Sequence, residues 1–117
     1  MKIRIGTTEE DYFLKLLHIV KVLPPFSKLR DLEIKVLAEL FSYNHQLRDI
    51  PAKQRNLILF STDNKKEIME SLNISSANFY NSMSRLRSFK ILKGDALVPK
   101  YTLLRHKEVT FIFGDNE

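Results

Sequence analysis

The fold of this chain depends most on residues 72–92, which read LNISSANFYNSMSRLRSFKIL. Asn73 predicts the end of one helix, because Asn tolerates the left-handed backbone conformation that helix ends often adopt. Ser75 or Ser76 then suits the N-cap of a second helix, which we expect to continue to about Phe89. The stretch therefore predicts two helices that are separated by a turn of about three or four residues.

The helix before this turn has its own start signals. Asp63 or Asn64 can cap it, and Glu67 stands three residues after Asn64, as in a capping box. Its apolar residues form one buried side: Ile68, Met69 and Leu72. Two helices joined by so short a turn pack at a steep angle, which is the helix-turn-helix arrangement.

An extended pattern replaces the helical one after Lys90. The pattern predicts two short strands around a turn and, beyond Pro99, a third extended segment: residues 91–93, 96–98 and 100–104. Gly94 and Asp95 are typical turn residues between the first two strands. The sequence therefore predicts a small β-hairpin, a wing, after the second helix.

Residues 72–92 resemble the second half of the motif of the winged helix-turn-helix superfamily, of the small phage or mobile-element type. The resemblance rests on the turn, the buried side of the second helix and the start of the wing: Leu72 to Ser75, Phe79, Met83, Leu86, Ile91 and Leu92. It implies a mainly α fold with a small β wing (α+β), with an extra N-terminal helix, and it implies DNA binding. The sequence departs from the family pattern at Met69, Asn73 and Lys90, and we expect a strained backbone at Lys90.

The whole chain is predicted to form one compact domain in three parts. Residues 1–61 form an N-terminal part that packs on the core, residues 62–104 the helix-turn-helix and wing, and residues 105–117 a C-terminal part. The first part is expected to contain a strand and three helices, at 1–6, 8–23, 28–43 and 51–60. In helix 28–43 the charged residues, among them Glu33, are expected mostly opposite the apolar stripe. A last strand is expected at 108–113.

Composition limits the classes of protein to which this chain can belong. Its 117 residues suit one domain, and 44% hydrophobic residues can supply a core. The absence of Cys excludes disulfides and thiolate metal sites. Because no signal peptide and no apolar run of roughly 18 residues is found, we expect a cytoplasmic protein without membrane contact. The net charge of +5 favours a polyanionic partner.

The exposed side of the second helix carries the candidate DNA contacts. When Phe79 is placed at the centre of the buried side and each residue is turned by about 100°, the opposite side is small, polar and rich in Asn. Asn pairs with adenine and Arg with guanine in the major groove. Arg87 is expected nearer the buried side. The residues expected at base edges or phosphates are Ser76, Asn78, Tyr80, Asn81, Arg85, Lys65, Lys66, Lys93 and Lys100.

No pattern of catalytic or metal-binding residues is found. His18, His45 and His106 are not spaced as metal ligands, and the three Gly residues form no phosphate-binding loop. There is also no set of nucleophile, base and acid. We therefore expect a protein that is not an enzyme and uses neither a metal nor another cofactor.

The first hypothesis is a sequence-specific binder of double-stranded DNA that acts in transcription regulation or in replication initiation. The alternative is a winged-helix protein-interaction module in a polymerase-associated, viral or other large assembly, without DNA binding. A third hypothesis is RNA binding, with Tyr80 or Tyr101 stacked on unpaired bases. Helix 8–23 either packs in the core or forms a homodimer that presents two recognition helices to a palindromic site.

Overall fold

A computed structural model of the chain describes Gly6 and residues 11–105. These residues form five α-helices: α1 (Tyr12–Val20), α2 (Asp31–Gln46), α3 (Ala52–Leu59), α4 (Thr62–Leu72) and α5 (Ser76–Ser88). Two short 3₁₀ helices, Phe26–Lys28 and Pro99–Tyr101, lie between α1 and α2 and after α5. The helices predicted at 8–23, 28–43 and 51–60 therefore correspond to α1, α2 and α3, with shifted ends.

Helix α2 lies at the centre of the fold and contacts all four other α-helices. It can do so because apolar side chains cover most of its circumference; Val36, Leu37 and Phe41 have no solvent exposure. Helix α1 packs on it through Phe13, whose ring lies 6.0 Å from that of Phe41. Burying such a side chain stabilises a fold by about 1.5–3 kcal/mol, so the buried residues of α2 contribute strongly to the stability of the fold.

Local signals set the ends of α4 and α5, as the sequence predicts for the turn. The Ser75 hydroxyl oxygen accepts a hydrogen bond of 3.1 Å from the backbone N–H of Asn78, which confirms Ser75 as the N-cap of α5. Asn73 has the left-handed conformation, with φ 52° and ψ 52°, and it ends α4 as expected. Helix α4 begins earlier than predicted, because Ser61 and not Asp63 or Asn64 is its N-cap.

The predicted β wing is wrong, and with it the α+β winged helix fold. The residues that the structure describes contain no β-strand; the predicted hairpin is a single antiparallel bridge between Leu92 and Leu97. Two backbone hydrogen bonds flank this bridge, from Lys93 N–H to the Ala96 carbonyl and from Val98 N–H to the Ile91 carbonyl. The third extended segment is replaced at its start by the 3₁₀ helix Pro99–Tyr101, because Pro has no N–H to donate to a sheet.

The apolar side chains on both sides of this bridge pack into the helical core. Ile91, Leu92 and Leu97 are buried in the same cluster as the helix residues. Leu97 N–H donates to the Asn56 side chain of α3 at 3.4 Å, which ties the turn to a helix and not to another strand. The strands predicted at 1–6 and 108–113 lie outside the described residues.

Lys90 has the expected strained backbone, with φ 64°. We predict that Lys90→Gly raises the free energy of unfolding by about 0.5–1 kcal/mol, because Gly adopts this conformation without a Cβ clash. Ser84→Gly, at an exposed position in the middle of α5, is the matched control and should lower the free energy of unfolding by about 0.5–1 kcal/mol. Urea unfolding of the two variants measures both changes, and a destabilised Lys90→Gly protein would show that Lys90 is not strained.

Candidate nucleic-acid interface

One side of α5 is open to solvent along the length of the helix. Phe79, Met83 and Leu86 have no exposure and face α2 and its neighbours. The opposite side, which we call the α5 polar face, consists of exposed uncharged side chains: Ala77, Asn78, Tyr80, Asn81, Ser84 and Ser88. This division follows the helical period that the sequence shows: Asn81 lies near the middle of the exposed side, and Asn78 and Tyr80 lie towards its two edges. Ser76 is exposed at the first turn of the same helix.

The start of α4 reaches the α5 polar face. The Lys65 ammonium lies 5.6 Å from the centre of the Tyr80 ring, at cation–π distance. Tyr80 is 47% exposed, and its ring meets the buried Phe79 ring edge-on at 5.4 Å. Lys66, the next residue, is exposed. The start of α4 thus places the Lys65 ammonium beside the polar face.

Arg85 has a structural partner that the sequence did not reveal. Its Nε lies 2.6 Å from the Glu33 carboxylate of α2, and its guanidinium lies 5.2 Å from the centre of the Phe89 ring. Glu33 is only 3% exposed, so its expected position on the solvent side of α2 is wrong. The same oxygen accepts the Arg30 backbone N–H at 3.3 Å and caps the start of α2. Arg85 therefore fastens α5 to α2.

Arg87 binds the turn that follows α5. Its Nε donates to the Gly94 carbonyl at 3.0 Å, and a terminal guanidinium nitrogen lies 3.1 Å from an Asp95 carboxylate oxygen. Gly94 has φ +58°, a left-handed conformation that Gly adopts without strain. As a result, both arginines of α5 are bound to protein acceptors.

The lysines after α5 lie in two places. Lys93 is exposed on the turn that Arg87 holds, close in sequence to exposed Lys90. Lys100 belongs to the 3₁₀ helix Pro99–Tyr101, with its ammonium 5.3 Å from the Tyr101 ring. The Tyr101 ring contacts Phe26 at 6.3 Å, so Lys100 sits against the segment between α1 and α2. No described contact joins Lys100 to α5.

Polar contacts also hold α4 against α2. The Tyr43 hydroxyl donates to the Glu67 carboxylate at 3.3 Å, and the Ser71 hydroxyl donates to Glu39 at 3.3 Å. Burial and then the adjacent negative charge of Glu67 raise the pKa of the Tyr43 hydroxyl above its ordinary value. The first of these contacts joins one acid of α4, Glu67, to α2.

The described part of the chain contains no cluster of three His, Asp or Glu side chains that could hold a metal ion. A shallow cavity of about 300 Å³ lies between α1, α2 and the end of α4, and Lys35, Glu39 and Ser42 are among its lining residues. Among the described helices, none has both the length and the apolar character that a membrane span requires.

Comparisons with protein-family models, with curated proteins and with solved structures find no match to this chain.

The Glu33–Arg85 pair can be tested through stability. Arg85→Ala leaves a buried carboxylate without its cation, so we predict a loss of about 2–3 kcal/mol in the free energy of unfolding; we take less than a fully buried pair would give, because Arg85 is about one-third exposed. Asn81→Ala, on the exposed side of the same helix, should change it by less than about 0.5 kcal/mol. Urea unfolding measures both variants.

A double-mutant cycle isolates the pair. Arg85→Ala combined with Glu33→Gln should cost less than the sum of the two single changes, by about 1 kcal/mol or more. Strict additivity would show that the two side chains do not interact in solution.

Proposed function

We propose that this protein binds double-stranded DNA through the α5 polar face and the start of α4, and that it acts by binding and not by catalysis. One observation carries the proposal: the helix-turn-helix buries Phe79, Met83 and Leu86 and leaves a continuous exposed row of hydrogen-bonding side chains on α5. A helix of this kind fits the major groove, where Asn and hydroxyl side chains reach base edges. Transcription regulation or replication initiation is the role that such binding would serve.

The distribution of charged residues also favours DNA as the partner. Between residues 76 and 100 there are five Lys and Arg against the single acid Asp95. Helix α4 adds Lys65, which lies beside Tyr80, and exposed Lys66, together with the acids Asp63, Glu67 and Glu70. In this proposal Lys65, Lys66, Lys93 and the Tyr80 hydroxyl hold phosphates, while Asn78 and Asn81 reach bases. Ser76, at the first turn of α5, and Lys100 remain predicted phosphate contacts.

Arg85 takes a different place in the proposal from the one that the sequence suggests. Its Nε donates to Glu33, and this contact fixes the orientation of α5 on α2. A role of Arg85 at a base edge stays a prediction.

The salt dependence of binding tests the proposal. We expect the affinity for a mixed-sequence duplex to fall steeply as salt rises, since each neutralised phosphate releases counterions. The paired change Lys65→Ala and Lys66→Ala should weaken binding to every duplex alike and reduce the slope of log K against log salt by about 2. Lys35→Ala, at an exposed position of α2, is the matched control and should leave the slope unchanged. Fluorescence anisotropy at several salt concentrations measures these slopes.

No binding to any duplex at low salt would contradict the proposal. The remaining function would then be a protein-interaction module in a larger assembly. Two observations favour that second candidate: Arg85 and Arg87 are both paired, and Leu57 and Ile58 of α3 are 71% and 43% exposed. A stable complex with a protein partner that Leu57→Ser abolishes would support it.

Self-association is a further part of the proposal. The C-terminal end of α1 and the residues after it expose apolar side chains, with Ile19 at 38%, Val22 at 76% and Leu23 at 47%. A homodimer formed there would present two α5 helices to a palindromic site. Sedimentation velocity with and without Val22→Ser tests this arrangement, which predicts a dimer that the substitution dissociates.

A further inference from the structure

The α5 polar face lacks a free side chain of the kind that reads guanine. Guanine is recognised in the major groove mainly by Arg or Lys, whose donors pair with its O6 and N7 atoms. Helix α5 contains two arginines and no lysine. Both arginines already bind acceptors of the protein: Arg85 the Glu33 carboxylate, and Arg87 the Gly94 carbonyl and Asp95.

Releasing these arginines is opposed by the structure. If Arg85 turned to a base, Glu33 would remain in the interior with 3% exposure and without its cation. If Arg87 turned to a base, the turn at Gly94 would lose both of the Arg87 hydrogen bonds that hold it. The pairs with Glu33 and Asp95 thus oppose turning the Arg85 Nε and the end of Arg87 towards a base.

The side chains that remain on the face suit adenine and thymine. Asn78 and Asn81 are exposed amides, and an Asn amide pairs bidentately with adenine N6 and N7. Ala77 is exposed between them and the start of the helix, and its methyl group can contact the thymine methyl group. The hydroxyls of Ser84 and Tyr80 pair with any base or phosphate and add no preference for guanine.

We propose that α5 recognises a core of A·T base pairs, with Asn81 as the main specificity-determining residue and with Asp95 as a positioning residue that keeps Arg87 away from guanine. This inference rests on the proposed DNA binding and names its target class, A·T-rich duplex DNA. Asn81 is the central choice because it lies on the same side of the helix as Ala77 and Ser84, opposite the buried Phe79.

Selection from a randomised duplex pool, followed by sequencing of the retained DNA, tests the inference. The full-length protein should enrich a motif whose central positions are A·T. Asn81→Ala should lower the preference for adenine at one position by roughly tenfold and keep the affinity for unselected DNA. Gln54→Ala, which removes an exposed amide of α3 outside this face, is the matched control and should leave the motif unchanged.

A second variant tests whether Arg87 can read guanine once Asp95 is removed. Asp95 is exposed, so Asp95→Ala should fold, and it removes the carboxylate that holds the end of Arg87. We expect guanine to appear at one position of the selected motif. Circular dichroism and urea unfolding of each variant check that the fold is kept.

The outcomes separate this inference from the proposal beneath it. No retention of any duplex overturns both. Retention of DNA with a G·C core, or without a motif, leaves DNA binding in place and overturns the A·T inference. An A·T motif that Asn81→Ala does not change overturns the assignment of the reading residue.

Discussion

The seating of α5 on α2 is the constraint on which the rest of the structure depends. Phe79, Met83 and Leu86 have no solvent exposure, and the Glu33–Arg85 pair fixes the rotation of the helix about its axis. A hydrophobic contact is not directional, but an ion pair with a buried carboxylate is, since leaving that carboxylate unpaired costs free energy. The rotation that satisfies Glu33 is the one that turns the Asn-rich side outward.

The charge distribution follows from the same arrangement. Because the arginines of α5 hold α2 and the following turn, the middle of the exposed face is uncharged and its cations lie at the edges, with Lys65 beside Tyr80 and Lys93 on the turn. Cations at the edges attract phosphates, whereas neutral amides at the centre distinguish bases. In the proposed interface, the separation of phosphate-binding cations from base-reading amides is therefore a consequence of packing.

Local sequence signals predicted the parts of the structure that depend on neighbours in the chain. The cap at Ser75, the left-handed Asn73, the positive φ of Lys90 and the buried side of α5 are all of this kind. The wing was predicted wrongly: Ile91, Leu92 and Leu97 are buried in the helical core, and one bridge stands where a ladder was expected. The Glu33–Arg85 pair spans 52 residues of sequence, so no periodicity along the chain could reveal it.

The most direct test of the account is an NMR titration of the 15N-labelled protein with a mixed-sequence duplex at low salt. We predict that backbone amide signals shift for residues 77–84 and for Lys65 and Lys66, while those of α1 stay in place. This pattern would locate the duplex on the α5 polar face. Shifts confined to α1 and α3, or no shifts at saturating DNA, would contradict the central claim that this face binds DNA.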